Sequence, residues 1–262
     1  MHDHQERWDS AAVLELGALQ EAELKVCRSK SESVNLAIEI ELLDQTARAL
    51  SRQGRSLAAI DYYTRGAAVC EQAGQFQRQG RTLSCKAELQ ASIGLYGDAK
   101  ITFGEVHRLG EELGEFELYC KSCLGLSNVA RLEGDLTKGV SLAYEALTAA
   151  GLLQNGQYGK ARDTAKSILA IVKCSDLHAA DFDESLLDRL VVLGTEIDLD
   201  DREGGGSVVC IQAAELQYTR HLSQGRLVQG AHACQEVVRF AKQDRFLNQI
   251  KVQSMAEVAK YG

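Results

Sequence analysis

Three glycines at a fixed interval limit this chain more than any other feature. Gly54, Gly94 and Gly134 stand 40 residues apart, and similar residues surround each. The first group reads Ala47, Leu50, Gly54, Ala59, Tyr63. The second reads Ala87, Gly94, Tyr96, Ala99, Phe103. The third reads Leu126, Ala130, Gly134, Leu136, Gly139, Ala143, Ala146. A fourth group is Gly225, Leu227, Gly230, Cys234 and Val237. A period of this length implies stacked supersecondary units, none of which can bury its apolar face alone. Small residues fall where two helices approach closely, and larger apolar residues follow four positions later on the same helix face. Glycine takes the left-handed conformation that ends a helix at little cost. Each unit therefore reads as helix, tight turn, helix. Asp98 and Asp135 lie near the starts of second helices, where a carboxylate favours the helix dipole. The chain also contains no proline. Proline breaks helix interiors and is common in turns, so its absence fits a chain that is nearly all helix. The expectation is an all-α solenoid of antiparallel helix pairs.

The period does not run cleanly to the end. Gly156, Tyr158, Ala161 and Ala165 repeat the pattern only 22 residues after Gly134. One helix is therefore expected to be missing, with residues 137–154 serving both as a second and as a first helix. Residues 183–194 read as a short amphipathic helix, and the acidic and glycine-rich run 196–206 reads as a loop. A last helix is expected near 246–261, capping the array. The resulting organisation is an N-terminal capping helix over 1–30 and repeats over 31–174. An irregular segment with a short helix follows over 175–206, then a further helix pair with a capping helix over 207–262.

The segment Leu124-Gly125-Leu126-Ser127-Asn128-Val129-Ala130-Arg131-Leu132-Glu133-Gly134-Asp135-Leu136 and the linker Leu109-Gly110-Glu111-Glu112-Leu113-Gly114-Glu115 carry a resemblance. The order small residue, Gly, aromatic or Leu, Ala, aromatic, Ala resembles the tetratricopeptide repeat. The length of the unit is similar to the long, 40-residue subclass found in G-protein-signalling modulators of the Pins type. The resemblance covers about residues 40–170 and 208–262. It implies a right-handed α-α superhelix, a tetratricopeptide-like solenoid, acting as a non-catalytic scaffold or adaptor for a partner protein. In that family the first helix of each pair lines a concave groove that holds a peptide. Register then places Asp44, Arg48, Ser51 and Arg52 on the inner face of the first unit. Arg81, Ser84, Glu88 and Ala91 follow in the second unit, and Lys121, Leu124, Asn128 and Arg131 in the third. The peptide-binding set expected from this is Asp44, Arg48, Arg52, Arg81, Glu88, Lys121, Asn128 and Arg131. An Asn128 amide donates and accepts hydrogen bonds to a peptide backbone. Arg48 and Arg131 suit an acidic partner through bidentate pairing. The Lys and Asn of chaperone-tail clamps are replaced by Asp44 and Arg48, which disfavours that function.

Charge and motifs narrow the remaining classes. The net charge is −8 and the isoelectric point about 5.4. No global positive field exists to hold a phosphate backbone, so nucleic acid is not an expected partner. The longest apolar run, residues 168–172, is far below the roughly 20 residues of a membrane span. The polar start Met1-His2-Asp3-His4-Gln5-Glu6 lacks the features of a signal peptide. A cytoplasmic location is expected, with the eight cysteines reduced and packed as small apolar residues. Cys120-Lys121-Ser122-Cys123 is the single CxxC, with no second pair at metal-site spacing, and core packing is its reading. His2 and His4 read as a polar tail. His107, His178, His221 and His232 show no triad-like neighbourhood, and His221 sits near a helix C-terminus, where a cation is favoured. The run from Asp198 fails as a calcium loop, because Arg202 and Glu203 fall where a ligand and a glycine are needed. Gly204-Gly205-Gly206 lacks the phosphate-loop pattern. An enzyme, a metal and a cofactor are not expected. The alternative to a peptide-binding scaffold is a structural subunit packed through its outer faces and terminal helix.

Overall fold

Six of the helices end in the same six-residue device. Gly54, Gly74, Gly94, Gly114, Gly134 and Gly225 all have φ between 65° and 87°. At the first, the Gly54 N–H donates to the Ser51 carbonyl at 3.0 Å and the Arg55 N–H donates back to the Leu50 carbonyl at 2.9 Å. This pair of bonds satisfies carbonyls that the helix end would leave open. The long bond recurs from Gln75 to Cys70 at 2.8 Å and from Glu115 to Gly110 at 2.8 Å. It recurs again from Asp135 to Ala130 at 2.9 Å and from Arg226 to His221 at 2.8 Å. Five of these glycines are 20 residues apart. The turn therefore repeats every 20 residues, and 40 is the period of the helix pair.

The structure is a computed structural model and describes residues 32–152, 157–177, 179, 182–200 and 205–243. Ten helices and no strand occur among the described residues. They are α1 (Glu32–Arg52), α2 (Ser56–Gln72), α3 (Phe76–Ser92), α4 (Tyr96–Leu113) and α5 (Phe116–Leu132). After them come α6 (Leu136–Leu152), α7 (Gln157–Cys174), α8 (Ser185–Asp200), α9 (Gly205–Ser223) and α10 (Leu227–Gln243). The fold is all-α, of the α-α solenoid class, with consecutive helices packed together within each unit. Two compact units divide at Val129 and Ala130, inside α5. In the first, α1 packs on α2, α2 on α3 and α3 on α4. In the second, α6 packs on α7, α7 on α8, α8 on α9 and α9 on α10. The capping helices expected over 1–30 and near 246–261 lie outside the described residues.

The residues that carry the repeat are the ones that make the core. Ala47, Ala59, Ala87, Ala99, Ala143 and Ala146 are fully buried, as is Phe103. In the first unit Ala87, Ala91, Ala99, Phe103 and Val129 form one cluster. Val106, Leu109 and Leu118 form another with Ala67 and Leu83. Glycines allow the closest approaches. A Cβ on Gly125 would lie 2.2 Å from the Phe103 ring, and one on Gly110 would lie 2.7 Å from the Tyr119 backbone nitrogen.

Two expectations about the broken phase are corrected. No helix is missing after Gly134: α6 and α7 are separate helices. A helix and its turn occupy 20 residues, so an interval of 22 is one helix, not a shortened pair. The helix expected to end at 194 runs on to Asp200, so 196–200 is helical rather than loop. Ile197 explains this. It extends the Leu187 and Leu190 face by further turns and is buried with them. Gly205 and Gly206 open α9.

Among the described residues the second unit holds one buried cation. Arg220 of α9 has 3% of its side chain exposed. Its Nη1 donates to the carbonyls of Leu177 and Ala179 at 2.5 and 2.6 Å, and its Nε donates to Glu184 at 3.1 Å. Its guanidinium also lies over the Phe182 ring at 5.1 Å. One side chain thus fastens the connection between α7 and α8 to α9.

Candidate peptide-binding cleft

The first helices of the first two pairs, α1 and α3, bound a cleft of about 580 Å³. Glu41, Asp44, Gln45 and Arg48 line it from α1, and Gln77, Arg78, Arg81, Thr82 and Cys85 from α3. The spacing of three and four residues keeps each set on one helix face. Thr82 is buried and Cys85 half-buried, whereas Arg48 and Arg81 are exposed.

Ion pairs organise the charges. Arg48 Nη2 lies 2.9 Å from Asp44, one turn away on α1. Arg78 crosses from α3 to Glu41 on α1 at 2.5 Å. Arg81 crosses to Glu117 on α5 at 3.3 Å, and Lys121 holds the same carboxylate at 2.8 Å. Hydrogen bonds from Gln45 and Arg78 hold the Glu41 carboxyl below the ordinary glutamate value. Burial works against the charge on Glu117, yet Lys121 and Arg81 keep its carboxyl below the usual value. Burial, with Glu88 and Asp44 nearby, pushes the Cys85 thiol up. Burial also pushes the Tyr63 phenol up to about 12. Both groups are protonated at neutral pH, and the thiol is a poor nucleophile. Among the described residues each of the three arginines pairs through Nη2 alone, which leaves guanidinium donors for a further acceptor.

Three residues of the expected set line this cleft: Asp44, Arg48 and Arg81. Lys121 stands beside it through Glu117. Arg52, Glu88 and Asn128 are exposed but outside the lining. Arg131 falls in the second unit, where it and partial burial lower the pKa of Lys173, burial being the larger cause. Ser84 and Ala91, expected on the inner face, are buried instead, and Ser84 donates to the Gly80 carbonyl at 2.8 Å. Beyond Arg81 the cleft is lined by Cys85 rather than Ser84, an offset of one residue that on a helix turns a side chain by about 100°. Cys85 was missed for that reason, whereas Gln77 and Arg78 share the face of Arg81 one turn earlier, before the span of the expected set. Glu41 and Gln45 were missed as well: Glu41 shares the face of Asp44 at a spacing of three, and Gln45 lies one turn after Glu41, to which its amide donates at 3.0 Å.

The other motifs settle into the interior. Cys120 and Cys123 are fully buried on α5, and all seven described cysteines are free thiols. His107 Nδ1 lies 3.2 Å from Ser122 Oγ and 3.8 Å from Cys123 Sγ, with both partners buried. His221 departs from its expected role. Burial first, and Arg226 next, lower its pKa, so it is not the cation favoured at a helix end.

No family model matches the chain. No curated protein matches it either. Its fold has a solved counterpart. The crystal structure of BtubC (BKLC) from P. vanneervenii is similar with a TM-score of 0.63 at 12% identity. The match covers 94% of this chain and 93% of that one. At that identity the likeness speaks for the fold alone.

Proposed function

We propose that the chain is a non-catalytic scaffold of the tetratricopeptide kind that holds a linear segment of a partner protein against α1 and α3. One observation carries the reading: a polar cleft of about 580 Å³ whose three arginines are each paired on one side only. An extended segment that supplies carboxylate oxygens completes those forks, and Gln45 and Gln77 offer amides to its backbone. Affinity is then moderate, because the segment orders on binding, and a few anchors decide specificity. The resemblance to tetratricopeptide repeats, with the first helix of each pair as the binding helix, agrees with this placement. A cytoplasmic partner suits the free thiols.

The test is selection from a displayed library of random 12-residue peptides on the whole chain and on Arg48→Glu with Arg81→Glu. The expected result is a shared acidic motif that the double variant no longer selects, with unchanged helical circular dichroism. Equal enrichment by both proteins removes the cleft from the reading. No enrichment by the native chain removes the peptide-binding reading itself. It would favour the structural subunit, whose outer-face contacts Leu57 and Ile101, about 70% exposed, would supply.

A further inference from the structure

The second unit carries a cavity of its own, of about 510 Å³, lined from α8, α9 and α10. Its polar lining is Asp188, Gln217, His221, Gln229, His232 and Glu236, with no lysine or arginine. The cleft of the first unit has three arginines, so the two differ in sign. Gln217 Nε2 donates to Asp188 Oδ1 at 3.0 Å, which holds that carboxylate in place. Among the described residues the second Asp188 oxygen and the Gln217 carbonyl oxygen remain as acceptors. His221 Nδ1 is buried and has no hydrogen-bond partner among the described residues. A metal ion is a poor fit. Among the described residues no group of three or more His, Cys, Asp and Glu is arranged to hold one.

We infer that this cavity binds a guanidinium group, presented by an arginine of a partner segment. Two carboxylates supply the charge. The carboxylate and carboxamide oxygens suit a planar fork of five donors better than the point charge of an ammonium. The inference does not depend on the peptide reading of the first unit. Acid weakens the binding. His221 faces Arg226, Arg220, Glu184 and Asp188, and shares the cavity with His232 and Glu236 of α10. Protonating it adds a cation beside the guanidinium.

The experiment uses the full chain and a fluorescent five-residue peptide with one central arginine. Matched peptides carry lysine or citrulline, and L-arginine amide is the small-molecule arm. The arginine peptide is expected to bind best, and Asp188→Asn with Glu236→Gln to weaken it about tenfold, a change of about 1.4 kcal/mol. Glu105→Gln with Glu145→Gln removes the same charge from exposed positions and is expected to change it less than about twofold. Imidazole proton resonances of His221 and His232 in the native chain should move with L-arginine amide and not with citrulline amide, which reads the site without a variant. Competition by L-arginine amide as strong as by the peptide assigns the cavity to a small guanidine, and weaker competition assigns it to a peptide segment. Equal loss in both double variants, or equal binding of the citrulline peptide, overturns the inference. So does tighter binding of zinc at the two histidines than of any guanidinium probe.

Discussion

Gly104 and Gly125 are both helical glycines, and their surroundings give them opposite roles. Nothing lies within 4 Å of a Cβ on Gly104, whereas one on Gly125 would enter the buried Phe103 ring. Gly104→Ala is expected to stabilise the chain by about 0.5–1 kcal/mol, the entropy that an alanine does not lose. Gly125→Ala is expected to destabilise it by about 1–3 kcal/mol through overpacking. Urea midpoints of the two variants check this; a shift in the same direction for both would refute the packing account. His221 adds a pH effect of known sign. Its folded pKa lies below the ordinary 6.5, so the unfolded chain takes up a proton that the fold resists. Stability is full above about pH 6.5 and declines as pH falls through that value towards the folded pKa. Thermal melts of the native chain and His221→Gln between pH 8 and 5.5 should diverge only at the acid end.

At the scale of elements, the connection between α7 and α8 depends on a residue 36 positions after Glu184. Arg220 donates to two backbone carbonyls in that connection; its loss takes this donor from the Leu177 carbonyl, whereas the Ala179 carbonyl keeps the Phe182 N–H at 3.3 Å. Arg220→Met keeps much of the apolar stem and is expected to cost on the order of 2–3 kcal/mol, from the Leu177 carbonyl left without its donor and the lost charge-assisted bond to Glu184. Hydrogen exchange should rise first in 175–186 and not in α1 to α4. Uniform loss of protection would mean that Arg220 does not act locally. No sequence periodicity marks Arg220, because its partners lie in a connection rather than on a helix face. By contrast, the helix pairs themselves were legible. The same small residues that repeat along the chain fill the close contacts, as Ala87 and Ala99 show.

At the scale of the molecule, the packing of each helix on the next within its unit makes stability close to a sum of neighbour terms. Such arrays depart from all-or-none unfolding. Buried thiols report on both units: Cys120 and Cys123 in the first, Cys174, Cys210 and Cys234 in the second. Labelling in rising urea, read by mass spectrometry of the peptides, is expected to expose the two sets at different midpoints. One shared midpoint that matches circular dichroism would establish a single cooperative unit. The lining of the candidate cleft was only partly legible at this scale. Asp44, Arg48 and Arg81 were found from the register of α1 and α3. The guanidinium cavity was not, because its residues come from three helices with no common motif.

The sequence by itself determined the helical class, the turn at each repeated glycine and the residues of the core. These follow from local terms: a left-handed glycine ends a helix, and spacing of three and four residues defines an apolar face. Only the tertiary structure decided which polar side chains meet across helices. Arg78 with Glu41, Arg81 with Glu117 and Arg220 with Glu184 are separated by 36 or 37 residues. Those pairings depend on the rotation of one helix against the next. A single residue of register turns a side chain by about 100°, so a period read along the chain finds the core stripe but leaves the charged faces ambiguous.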